Sequence, residues 1–335
     1  MSVCALAREG AVGSSTSLAA VAGTGAQMLE QGKRRVPVNG VELSIEVGGA
    51  GPPLLFVTPG WGVNIAAYRG LRPLEQHFTV IWCETRGTGE STAPEDHDYR
   101  LSTFTSDAEA LRDALGIEAW WLAGHSFGGA LVQDYIAHHP DRSLGSILLC
   151  TLPAGDPANF DEIVARGTAR AGEPGCDDAL AAMSTVPTTD DEALQLLADI
   201  MPLYFRDLDA CHRFLAEIDG MSCRVDAMVA ESPQCIDRRV ADGLLSTIDV
   251  PSVVLAASDD FVCSPPRGQI VHNALRGSKF VLVEESGHFP WFEQPEGFWY
   301  GLHRAIDSLA AWNLDDPSNP TSSRPRSASS EWDAM

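Results

Sequence analysis

Gly124-His125-Ser126-Phe127-Gly128 follows the apolar run Ala119-Trp120-Trp121-Leu122-Ala123 and opens Gly129-Ala130-Leu131-Val132-Gln133-Asp134-Tyr135-Ile136-Ala137. The stretch reads as a strand, a sharp turn and a helix. A Gly-x-Ser-x-Gly turn of this kind needs small residues on both sides, because the two backbone arms pass closely while the serine hydroxyl projects outward. Glycine and serine are common residues, so the pattern alone is weak evidence and its surroundings decide.

Those surroundings come in a definite chain order. Val253-Val254-Leu255-Ala256-Ala257-Ser258-Asp259-Asp260 reads as a strand ending in acids, and Phe280-Val281-Leu282-Val283-Glu284-Glu285-Ser286-Gly287-His288 as a strand running to a histidine. Serine, then acid, then histidine is the order in which this type of elbow recruits its partners. Each candidate falls just beyond the carboxyl end of a strand, where open parallel sheets place their ligands. Ser126 is the expected nucleophile, His288 the general base and acid, and Asp260 the carboxylate that orients the imidazole. Asp259 and Asp156 compete with Asp260 for the acid role.

Two further segments carry a family resemblance. Leu54-Leu55-Phe56-Val57-Thr58-Pro59-Gly60-Trp61-Gly62 resembles the strand and oxyanion loop of α/β-hydrolases, with Pro59 where many members have histidine. Glu84-Thr85-Arg86-Gly87-Thr88-Gly89-Glu90-Ser91 is similar to their Asp-x-Arg-Gly-x-Gly-x-Ser segment, with Glu84 in place of the aspartate. Ser286-Gly287-His288-Phe289-Pro290-Trp291-Phe292-Glu293-Gln294-Pro295 resembles the histidine segment of the proline-iminopeptidase-like and small-molecule esterase branches. The likeness spans roughly residues 36 to 312. It implies backbone N–H groups of Trp61 and Phe127 as the oxyanion hole. Trp61, Phe127, Phe289 and Trp291 cluster near this edge in sequence, so they are expected to line an apolar substrate pocket, with core packing as the competing role.

Composition bounds the rest. The chain has 335 residues, 46 acidic against 23 basic, for a net charge of −23. Such a surface argues against nucleic acid and anionic membranes, both polyanions. The eight cysteines (Cys4, Cys83, Cys150, Cys176, Cys211, Cys223, Cys235, Cys263) form no Cys-x-x-Cys pair and read as reduced thiols of a cytoplasmic protein. His138-His139 lacks partners at ligand spacing, so no metal is expected, and no cofactor.

Residues 1–32 are rich in Ala, Gly, Ser and Thr and read as disordered, as does the tail 313–335. Residues 33–312 read as one α/β domain, a mostly parallel sheet flanked by helices. Val36 to Ile45 reads as a hairpin turning at Asn39-Gly40. Strands near 54–58, 78–84, 118–123, 145–151, 251–257 and 279–284 alternate with helical patterns near 64–76, 102–115, 127–139 and 294–312. Between about 155 and 247 only amphipathic helical pieces occur, resembling the helical cap of the family. This interval holds 18 acids against 7 arginines, a net −11. That charge reads as solvated surface, with an ammonium-binding site, as in proline iminopeptidases, as the alternative.

Three functions therefore stand: an esterase or lactonase of a small apolar compound, a proline-iminopeptidase-like aminopeptidase, and a non-hydrolytic receptor, lyase or cyclase on the same scaffold. In each the partner is a small molecule. Serine rather than aspartate at position 126 argues against epoxide and haloalkane chemistry.

Overall fold

The structure, a computed structural model, describes residues 29–58, 61–230 and 243–315, with side chains to 309. The segments expected to be disordered fall largely outside these residues. The expected boundary at 32 shifts, because Leu29 already packs on the core and Gln31 Nε2 donates to Gly49 O at 3.0 Å.

Strands β1 (Gly32–Val38) and β2 (Val41–Gly49) form the hairpin, with Asn39 at φ 42° and Gly40 at φ 81°. Two successive left-handed residues match the right-handed twist of the flanking strands, which is why Asn-Gly sits there. Then come β3 (Pro53–Val57), β4 (Thr79–Cys83), β5 (Trp120–His125), β6 (Ser143–Leu149), β7 (Ser252–Ala257) and β8 (Lys279–Val283). They pair in the order β1-β2-β4-β3-β5-β6-β7-β8. The β1–β2 and β2–β4 pairs are antiparallel and the others parallel.

Strands β5 and β7 are buried along their whole length, as continuous apolar runs covered on both faces must be. Alternate residues serve opposite layers: Leu55 and Val57 join the core under α1 (Leu101–Ala114) and α2 (Phe127–His138), whereas Leu54 and Phe56 join the core under α10 (Pro295–Asp315). The expected helix over 64–76 is instead a 3-10 segment, Ile65–Gln76, with Pro73 inside it. Proline supplies no N–H and its ring crowds the preceding turn, which interrupts the α-type ladder.

Strand order reverses around β3, whose neighbours are β4 on one side and β5 on the other. The chain ends of β3 and β5 therefore diverge and leave a crevice, the usual ligand position in open α/β sheets. The loop after β3 and the turn after β5 flank it. Between β6 and β7 lie α3 (Ala158–Ala169), α4 (Cys176–Ala182), α5 (Asp190–Ile200), α6 (Leu208–Glu217) and α7 (Val225–Ala230), and α8 (Pro265–Ala274) follows β7. Among the described residues of the 155–247 interval the only β contact is a bridge, Val63 to Cys223.

Arg86 pairs within the fold. Its Nε and Nη2 donate to Asp107 at 2.7 and 2.8 Å, with both side chains under 5% exposed. Removing one partner of a buried pair leaves an uncompensated charge. Arg86→Met is expected to lower unfolding free energy by about 3–5 kcal/mol, read as a lower urea midpoint; a change under 1 kcal/mol would show that the pair is dispensable.

Candidate active site

Ser126 sits between β5 and α2 at φ 55°, ψ −123°, a conformation that costs an L-residue about 1–3 kcal/mol. The neighbourhood holds it there. Its N–H is shared between Leu149 O and Cys150 O at 3.0 and 3.1 Å, and its carbonyl accepts from Gly129 N and the Thr151 hydroxyl. A Cβ at Gly124 would lie 2.2 Å from Gly128 O, so the first glycine of the motif is required by the close passage of the two arms. Ser126 stays partly open to solvent.

His288 Nδ1 donates to Asp260 Oδ2 at 2.7 Å, with both residues almost fully buried. Asp260 Oδ1 accepts from the backbone N–H groups of Val262 and Cys263 at 2.9 and 2.8 Å, which holds the carboxylate in one orientation. Because Nδ1 carries the hydrogen, Nε2 of a neutral His288 is the basic nitrogen. Asp259 points elsewhere: Ser258 Oγ donates to it at 2.6 Å and Arg206 lies 3.5 Å away at the surface. Asp156 is engaged with Arg267 at 3.0 Å. Of the three candidate acids, the structure puts Asp260 on the histidine.

Asp260, Cys263 and His288 place one donor atom each within 4.8 Å of one another. Sequence spacing gave no hint of this cluster. As a metal ligand set it is a poor fit: both Asp260 oxygens already accept hydrogen bonds, and burial pushes the Cys263 thiol well up, so it keeps its proton. The His138-His139 pair serves the fold, with His138 Nδ1 donating to Asp134 O at 2.8 Å and His139 against the Tyr135 ring.

The pocket residues divide. Trp61, at φ 54°, is 38% exposed beside the crevice. Phe127 is partly exposed and meets Phe104 edge-on. As the first residue of α2 it offers an N–H that has no intrahelical acceptor. Pro59 and Gly60 of the loop after β3 lie outside the described residues. Phe289 and Trp291 require a correction: they are 6% and 4% exposed, Phe289 packed among Phe205 and Phe214 and Trp291 among Tyr68 and Phe298. Aromatic bulk next to His288 in sequence serves the core that supports it, because Phe214 of α6 packs on Phe289 and Phe298 of α10 on Trp291.

Several site residues were not singled out from sequence. His125 donates from Nε2 to His288 O at 2.9 Å, and its Nδ1 accepts from Tyr68 Oη at 3.2 Å. Burial, then the adjacent His288, pushes its pKa well down, so His125 is neutral and braces the loop. Its position inside the motif was the available signal. Tyr204, from the cap, lays its ring edge-on to His288 at 5.4 Å, and nothing in local sequence marks it.

Comparison with known proteins agrees with this architecture. Residues 52–182 match the family model described as alpha/beta hydrolase fold. Over 272 residues the chain is 25% identical to a pimeloyl-[acyl-carrier protein] methyl ester esterase of Neisseria meningitidis, covering 80% of each protein. A solved esterase from Thermogutta terrifontis superposes with TM-score 0.61 at 22% identity, covering 83% of this chain and 99% of the other. A proline iminopeptidase-related protein from Thermus thermophilus gives 0.65 at 24%, covering 84% and 99%. Sheet order, family model and structural neighbours agree on the architecture: the chain has the alpha/beta hydrolase fold.

Asp260→Asn is expected to cut turnover of an activated ester by up to ~10⁴, since an asparagine amide can favour the wrong imidazole tautomer. Asp259→Asn should stay within about fivefold, because an exposed ion pair is worth at most about 1 kcal/mol. The reverse ranking in a kcat/KM comparison would refute the assignment.

Proposed function

We propose that the protein is a serine hydrolase that cleaves an ester or lactone of a small, largely apolar compound through an acyl-enzyme. The observation that carries this reading is the buried Asp260–His288 hydrogen bond, at the same carboxyl-end edge of the sheet as a serine held in a strained elbow. His288 Nε2 takes the Ser126 hydroxyl proton as Oγ attacks the carbonyl carbon. Negative charge gathers on the carbonyl oxygen and is held by the N–H groups of Phe127 and Trp61; one such donor is typically worth about 3 kcal/mol. The imidazolium, stabilised by Asp260, returns the proton to the leaving alkoxide. Water, deprotonated by His288, then attacks the acyl carbon and frees Ser126.

Substrate class follows from what surrounds the crevice. Trp61, Phe127 and Tyr204 supply aromatic surface there. Four acids of the cap are held in ion pairs: Asp156 and Glu162 with Arg267, Glu162 also with Arg166, Glu173 with Arg170 and Asp190 with Arg224. A carboxylate paired in this way is a poor anchor for a substrate ammonium, which favours a neutral ester over an aminoacyl substrate. The methyl ester esterase and the esterase among the similar proteins support the same class. No helix of the described residues is long and apolar enough to cross a membrane.

A fluorophosphonate should label Ser126 alone, and Ser126→Ala should abolish both labelling and turnover while the circular dichroism spectrum is unchanged. Label on another residue, or none on folded protein, would sink the nucleophile assignment. A short-chain neutral ester should give the higher kcat/KM against a prolyl-arylamide. A preference for the cationic substrate that weakens with salt would instead point to a cap carboxylate at the amine, because such attraction is screened over about 10 Å at 0.1 M.

A further inference from the structure

We propose that Glu293 is a positioning residue for His288, acting as a clamp that locks the histidine turn to residues 204–207 of the cap. The proposal rests on the reading of His288 as general base. Glu293 closes the short helix α9 (Pro290–Glu293), five residues past the histidine. Its Oε2 accepts from Gly287 N at 2.6 Å and from Ser286 Oγ at 3.3 Å. Its Oε1 accepts from the backbone N–H groups of Arg206 and Asp207 at 2.9 and 3.2 Å. One carboxylate thus gathers four donors, two from each of two segments some 80 residues apart in sequence.

The neighbouring contacts repeat this pairing. His288 N donates to Tyr204 O at 2.7 Å, so the histidine's own amide is held by the cap. A Cβ at Gly287 would lie 2.3 Å from Tyr204 O, so the two backbones touch with no space for a side chain. Asp259 N donates to Ser286 O at 2.8 Å, which ties the acid loop to the same turn. Arg206 reaches both Asp259 and Glu285, at 3.5 and 3.7 Å, over the outer edge. Charge is what Glu293 adds at the centre: a carboxylate accepts from four donors at once, whereas an amide has one accepting oxygen and would aim its NH2 at an N–H. Burial pushes the Glu293 carboxyl up, and its backbone donors oppose that shift.

The clamp sets the position of His288 Nε2 relative to Ser126 and delivers the Tyr204 ring to the histidine. Its effect belongs to the chemical step. For Glu293→Gln, kcat for a p-nitrophenyl ester is expected to fall about tenfold to a hundredfold, the scale of a misplacement near 1 Å, with KM within about twofold. The rate of fluorophosphonate labelling should fall by the same factor while the end point stays complete, which shows that the variant is folded. A variant with lowered Tm but wild-type kcat and labelling rate would reduce Glu293 to a structural role and overturn the proposal. Amide hydrogen exchange on the wild-type protein gives an independent readout: Gly287, Arg206 and Asp207 should exchange as one cooperative unit. Exchange of Arg206 and Asp207 well before Gly287 would overturn the clamp even if the glutamine variant fails to fold. Wild-type protein without turnover or labelling would count against the hydrolase reading instead, with the exchange result still deciding the clamp.

Discussion

The arrangement depends on one buried hydrogen bond, His288 Nδ1 to Asp260 Oδ2. A carboxylate withdrawn from water is costly unless it is fully hydrogen-bonded, and Asp260 meets that demand with two backbone donors on one oxygen and the imidazole on the other. That bond requires the turn after β7 and the turn after β8 to lie within a few ångströms, which parallel neighbours in register supply. The strained backbone at Ser126 is tolerable for a related reason. Its N–H and carbonyl are both bonded to the turn after β6, so the sheet enforces the geometry that the residue would not choose alone.

The helical segment between β6 and β7 is tied to the carboxyl edge of the sheet at two places. Asn64 N donates to Ser222 O, Arg224 N to Gly62 O, and Ser222 N to Asn64 Oδ1, which couples the segment after Trp61 to the cap. On the other side residues 204–207 meet the histidine turn through Glu293 and Tyr204. Cap and machinery therefore share backbone contacts. A change in the packing of the segment between β6 and β7 reaches both the loop after β3 and the turn that carries His288.

Much of this was legible in the sequence because it rests on short-range rules. Continuous apolar runs gave the buried parallel strands, Asn39-Gly40 gave the hairpin, and the order of Ser126, Asp260 and His288 placed three candidates on one edge. Asp260 was the expected acid with Asp259 its competitor, and the turn after β7 directs Asp260 to His288 while Asp259 meets Ser258. Phe289 and Trp291 show the limit of proximity in sequence: their rings turn into the core under His288, and no periodicity over so short a stretch reports that. The 3-10 path of Ile65–Gln76 carries its one sequence mark in Pro73, inside the helical pattern over 64–76. Glu293 and Tyr204 act through backbone groups distant in sequence, which a single chain does not reveal.

The central claim is covalent catalysis at Ser126. Rapid acid quenching of the protein during turnover of a p-nitrophenyl ester, followed by peptide mass mapping, tests it directly. The account predicts an acyl adduct on Ser126 that forms in a burst and decays at the turnover rate. Turnover with no adduct, or an adduct on the neighbouring Cys263 thiol, would contradict it.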